Sequence, residues 1–129
     1  AKGAISWSSK KQHVVSLSTA EAEYMALSSA TQEAMWLRSV LKNLRGKEIN
    51  VPTVNREENQ SAIAIAQNPI QHQRTKHIDI RHHFIRDCIK EGIIELKFCP
   101  SDDMVADILT KPLPRVKFEE LSGKLGLVL

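Results

Sequence analysis

A chain of 129 residues, 42% hydrophobic and 26% charged, can bury one sizeable core and has the make-up of an ordinary globular protein. No apolar run nears the roughly 20 residues of a membrane helix, and Ala1 to Lys11 hold no apolar signal core. The net charge of +3 favours an anionic partner such as nucleic acid. Cys88 and Cys99 form neither a CxxC pair nor a zinc spacing and read as two buried thiols. With no initiator Met, the chain reads as a segment or a processed product.

In chain order, Ala4 to Trp7 reads as a short strand, Lys10-Lys11 as a basic turn, and Val14 and Val15 as a second extended stretch. A long helix follows. Ser18 is its N-cap, and Glu21, three residues on, completes a capping box. Leu27, Ala30, Ala34, Leu37, Leu41 and Leu44 recur at the spacing of one buried helical face, and Gly46 ends the helix. Val51 to Glu57 reads as a strand, Ser61 to Ala66 as a short helix, and Gln71 to Lys76 as a polar, basic loop. Ile78 to Lys90 reads as a second clear helix ending at Gly92. Ile93 to Phe98 is a strand, Asp102 to Thr110 a short helix stopped by Pro112 and Pro114, and Phe118 to Leu125 a last helix before Gly126. Helices alternating with single strands define an α/β class with a largely parallel sheet. Trp7 and Trp36 read as core or half-exposed packing residues.

Three carboxylates stand out. Glu21 and Glu23 lie about 200° apart around the helix, so while Glu21 caps, Glu23 falls in line with Leu27, Ala30 and Ala34. A carboxylate on that stripe must be paired or hold a metal. Glu58 opens the segment Glu58-Asn59-Gln60-Ser61-Ala62, where an acid also suits a helix N-terminus. Asp107 lies four residues before Lys111, the spacing of a helical ion pair. Brought to one sheet edge, such acids could hold two Mg²⁺ ions for phosphodiester hydrolysis. Arg74, Lys76, Arg81 and Arg86 form the densest basic stretch, and contact with phosphates competes there with a solvated helix face. The neighbouring His77, His82 and His83 lack the i,i+4 spacing of a zinc pair, and the scattered glycines form no phosphate loop.

Several collinear strings resemble the RNase H domain at the end of the Pol polyprotein of copia-type LTR retrotransposons. They are Ile5-Ser6-Trp7-Ser8-Ser9-Lys10-Lys11-Gln12, Leu17-Ser18-Thr19-Ala20-Glu21-Ala22-Glu23-Tyr24-Met25-Ala26-Leu27, Asn59-Gln60-Ser61-Ala62-Ile63, Arg74-Thr75-Lys76-His77-Ile78-Asp79-Ile80-Arg81-His82-His83-Phe84-Ile85-Arg86, and Ala106-Asp107-Ile108-Leu109-Thr110-Lys111-Pro112-Leu113. Together they span essentially the whole chain, residues 1–129, as one partial RNase H domain. The resemblance implies an RNase H-like fold, a mixed sheet flanked by helices. It implies Glu23, Glu58 and Asp107 as Mg²⁺-binding catalytic residues, with Arg74, Lys76, Arg81 and Arg86 on the nucleic acid. It further implies hydrolysis of the RNA strand of an RNA/DNA hybrid, read through phosphates and 2′-hydroxyls, alongside the reverse transcriptase domain. The setting would be intracellular, in a cytoplasmic virus-like particle or the nucleus, with no membrane.

The sequence departs from that pattern twice. It has no counterpart of the family's first two strands or of the first metal-binding Asp they carry, so a sheet lacking two strands is expected. Glu58 also stands where the family has Asp, and Asn55 and Glu57 place polar groups on one face of what should be a buried central strand. A shift of about an ångström at a metal site can cost on the order of 100-fold in rate. Weak or absent hydrolysis is therefore expected, with a non-catalytic nucleic-acid-binding or interaction role as the alternative.

Overall fold

The computed structural model describes residues 3–68 and 76–127, with the backbone alone at residues 76–79 and 82. The chain divides into two compact units, Ser16–Phe98 and a smaller one built from Ala1–Val15 with Cys99–Leu129.

The larger unit begins with helix α1, Thr19–Arg45. Ser18 is extended, and its hydroxyl accepts the Glu21 N–H at 3.1 Å. The Glu21 carboxylate accepts in turn from the Leu17 N–H, one residue earlier than the usual capping box. Gly46 ends the helix at φ 63°, a conformation that favours glycine, and its N–H donates to the Lys42 carbonyl at 2.8 Å. Ser18→Ala should cost about 1 kcal/mol, because it strands a backbone donor of the first turn. Thermal unfolding followed by circular dichroism checks this, and an unchanged midpoint would mean that the Glu21 contact alone holds the helix start.

The buried stripe of α1 runs through Tyr24, Leu27, Ser28, Thr31 and Ala34. The sequence placed it partly elsewhere. Ala30 is exposed, Leu37 and Leu41 are only half-buried, and Leu44 is 77% exposed. The cause is a mismatch of lengths. A helix of 27 residues is about 40 Å long, whereas a five-residue strand reaches about 17 Å.

Strand β1, Thr53–Glu57, and strand β2, Ile94–Phe98, form a parallel two-stranded sheet in which Thr53 pairs with Ile94 and Glu57 with Phe98. Helices α2, Gln60–Gln67, and α3, Lys76–Lys90, connect them. Gly92, at φ 68°, turns the chain from α3 into β2. Tyr24, Leu27, Ala66, Ile85, Cys88 and Ile94 form the core. Arg38 of α1 fixes the approach to β1. Its guanidinium donates to the carbonyls of Ile49 and Val51, each at 2.7 Å, and to the Thr53 hydroxyl at 3.2 Å.

The polar residues of β1 have partners. The Asn55 amide donates to Thr31 Oγ1 at 3.2 Å, and the Thr31 hydroxyl donates to the Leu27 carbonyl at 2.8 Å. Nor is β1 buried on both faces as expected: Val54 is 42% exposed and Arg56 is also exposed. The strand alternates between an inner face of Thr53, Asn55 and Glu57 and an open outer face, so its polar residues suit a sheet covered on one side.

In the smaller unit no strand forms at Ala4 to Trp7 or at Val14-Val15. The Ala4 N–H instead donates to the Leu125 carbonyl at 3.0 Å. Apolar alternation makes a strand only where a ladder partner exists. Trp7 is 69% exposed and, in the larger unit, Trp36 is 59% exposed, so neither is a core residue. The expected helix over Asp102 to Thr110 divides into two 3-10 turns, Ser101–Asp103 and Val105–Leu109, because Met104 between them is extended. Helix α4, Arg115–Lys124, begins directly after Pro114. Cys88 and Cys99 are buried free thiols, one in each unit.

Candidate active site

The carboxylates of the larger unit gather where β1 runs into α2. Asn59 caps α2: its Oδ1 accepts the N–H groups of Ser61 at 2.9 Å and Ala62 at 3.1 Å. Glu58 therefore lies before the cap rather than within the helix, one residue past the strand, and is half-buried. Glu57, the last residue of β1, is the deeply buried acid at 5% exposure. Its Oε1 accepts the Asn59 N–H at 2.9 Å. Burial raises the Glu57 carboxyl above the usual carboxylate range. The Asn59 N–H opposes this, while the charges of Glu23 and Glu58 reinforce it. Glu23 on α1 is half-buried and near enough for its charge to act on Glu57. Glu23 and Glu58 thus both act by their charge on an acid that the motif position did not single out. Strand alternation was the available signal, since Asn55 and Glu57 share the inner face.

Asp107, in the smaller unit, is 8% exposed. Lys111 Nζ lies 3.0 Å from its Oδ2, the i,i+4 pair read from the sequence. The Asp107 carbonyl also accepts the Lys111 N–H at 2.8 Å. This carboxylate is thus neutralised by its own turn.

Among the described residues no group of three or more His, Cys, Asp or Glu side chains could hold a metal ion. Glu23 and Glu58 belong to the larger unit and Asp107 to the smaller one.

Arg74 of the basic stretch lies outside the described residues, and only the backbone of Lys76 lies within them. Arg81 is half-buried. Arg86 is also half-buried, and its Nη2 donates to the Asn68 carbonyl, closing the end of α2. Its charge partly offsets the burial that pushes the Tyr24 phenol well above its ordinary range. No helix among the described residues is long and apolar enough to cross a membrane.

The chain is 40% identical, over 124 residues and 96% of its length, to the retrovirus-related Pol polyprotein from transposon RE2 of Arabidopsis thaliana. It is likewise 40% identical over 123 residues, 95% of its length, to that from transposon RE1 of the same plant. Against that from transposon TNT 1-94 of Nicotiana tabacum it is 41% identical over 127 residues, 97% of its length. It spans only 8% of the first two relatives and 9% of the third. No protein-family model matches the chain. No solved structure matches it. The chain is homologous to a segment of copia-type retrotransposon Pol polyproteins.

Proposed function

We propose that this segment of a retrotransposon Pol polyprotein is RNase H-like over residues 1–129, and that it engages an RNA/DNA hybrid beside the reverse transcriptase portion while cleaving it weakly or not at all. Homology along almost the whole chain supports the lineage. So does the placing of Glu23 on a long helix beside the acids at the end of a parallel strand. The altered motif, Glu58 where the family has Asp, carries the second half of the reading. Lys111, paired to Asp107, competes with a cation for that carboxylate.

The test is cleavage of an end-labelled RNA/DNA hybrid by the purified chain, in Mg²⁺ and then Mn²⁺, beside Glu23→Gln. The expected result is little or no product from either protein, together with measurable hybrid binding. Efficient cleavage that Glu23→Gln abolishes would show that a working metal site assembles and would overturn the impaired reading. A folded chain that binds no hybrid would overturn the nucleic-acid reading itself.

A further inference from the structure

The outer face of the β1–β2 sheet carries an arrangement that folding alone does not explain. Val54 and Arg56 of β1 and Glu95 and Lys97 of β2 occupy it, and all four are exposed. The register sets Arg56 directly opposite Lys97. Neighbouring strands lie about 4.8 Å apart, so two cations stand side by side, and like charges so placed are destabilising. Glu95 relieves this only in part. Its carboxylate lies 3.4 Å from Lys97 Nζ and is in register with Val54 rather than Arg56. Among the described residues Arg56 makes no ion pair, whereas Arg38 and Arg86 are committed to backbone carbonyls. The face therefore holds two cations against one carboxylate, with Arg56 in no ion pair among the described residues.

We infer that Arg56 and Lys97 together form a phosphate-contacting surface for the nucleic-acid backbone, separate from the basic stretch around α3. This deepens the function proposed above and rests on it. A phosphodiester oxygen pair matches the planar guanidinium in a bidentate geometry, and a neighbouring phosphate takes the ammonium. An anion between the two side chains converts their mutual repulsion into attraction for a shared partner. The contact carries no sequence information, because it reads charge and spacing alone.

The experiment is fluorescence anisotropy of a labelled RNA/DNA hybrid with the full chain in EDTA, titrated at several salt concentrations. The Arg56→Ala/Lys97→Ala double variant is compared with Arg45→Ala/Lys47→Ala, which removes the same charge from exposed positions at the end of α1. The sheet-face variant should bind about tenfold more weakly and lose about two units of the slope of log K on log salt. The control should change far less on both measures. Circular dichroism verifies that both variants are folded. Equal weakening in the two double variants, or none in the first, would overturn the inference while leaving hybrid binding intact. No binding by the unmutated chain would sink the proposed function as well.

Discussion

Ile85→Ala is expected to destabilise the chain by about 2–5 kcal/mol, the range for truncating a fully buried isoleucine. Ile85 lies on α3 with no exposed surface and belongs to the core cluster joining α1, α2 and β2. Two terms add. Its removed carbons lose their transfer free energy, and the space they leave collapses only partly, because a close-packed interior relaxes incompletely. Because the core here is small, one such cavity removes contacts from several elements together. Whole domains are stable by only about 5–15 kcal/mol, so this single change brings the larger unit close to unfolding at 37 °C. Urea denaturation followed by circular dichroism checks it. A lowered midpoint with an unchanged slope is the expected outcome, whereas a loss below about 1 kcal/mol would mean that α3 does not pack as described.

The parts of this fold legible in the sequence are those decided locally. Ser18, Glu21 and Gly46 set the ends of α1 through their own backbone geometry, and the structure uses all three. The i,i+4 pair of Asp107 and Lys111 is equally local. Several of the differences depend on partners distant in sequence. The apolar stripe of α1 runs on to Leu44, but a short sheet covers only its first half. Ala4 to Trp7 alternates like a strand and has no ladder to join. Arg86 sits in a basic stretch that reads as a phosphate contact, and its Nη2 also holds a carbonyl 18 residues away. The acid site adds a residue to those read from the motif. Motif position pointed to Glu58, and beside it the last strand residue takes the inner face, so burial and the charges of Glu23 and Glu58 act on Glu57.

Glu57→Gln should change how stability depends on pH. Burial raises the Glu57 carboxyl in the folded chain above its ordinary value of 4.5, and the nearby Glu23 and Glu58 charges add to this. The folded state then holds its proton more tightly than the unfolded one. Between the unfolded and folded pKa values the unfolded chain binds fewer protons, so stability falls as pH rises. The contribution is fully present below about 4.5 and is lost as pH rises through the raised pKa, with a slope of at most about 1.4 kcal/mol per pH unit for one proton. Glutamine removes that proton exchange, and its carbonyl can still accept the Asn59 N–H. The variant should therefore match the parent in acid and exceed it at neutral pH. Depressed groups such as Glu120, held down by Lys124 and Lys117, act in the opposite direction but are common to both proteins and cancel in the difference. Urea midpoints measured from pH 4 to pH 8 decide it. A difference between the two proteins that grows with pH supports the buried, strained acid. A variant less stable at neutral pH would mean that the ionised carboxylate's bond to the Asn59 N–H outweighs the loss of hydration at the strand end.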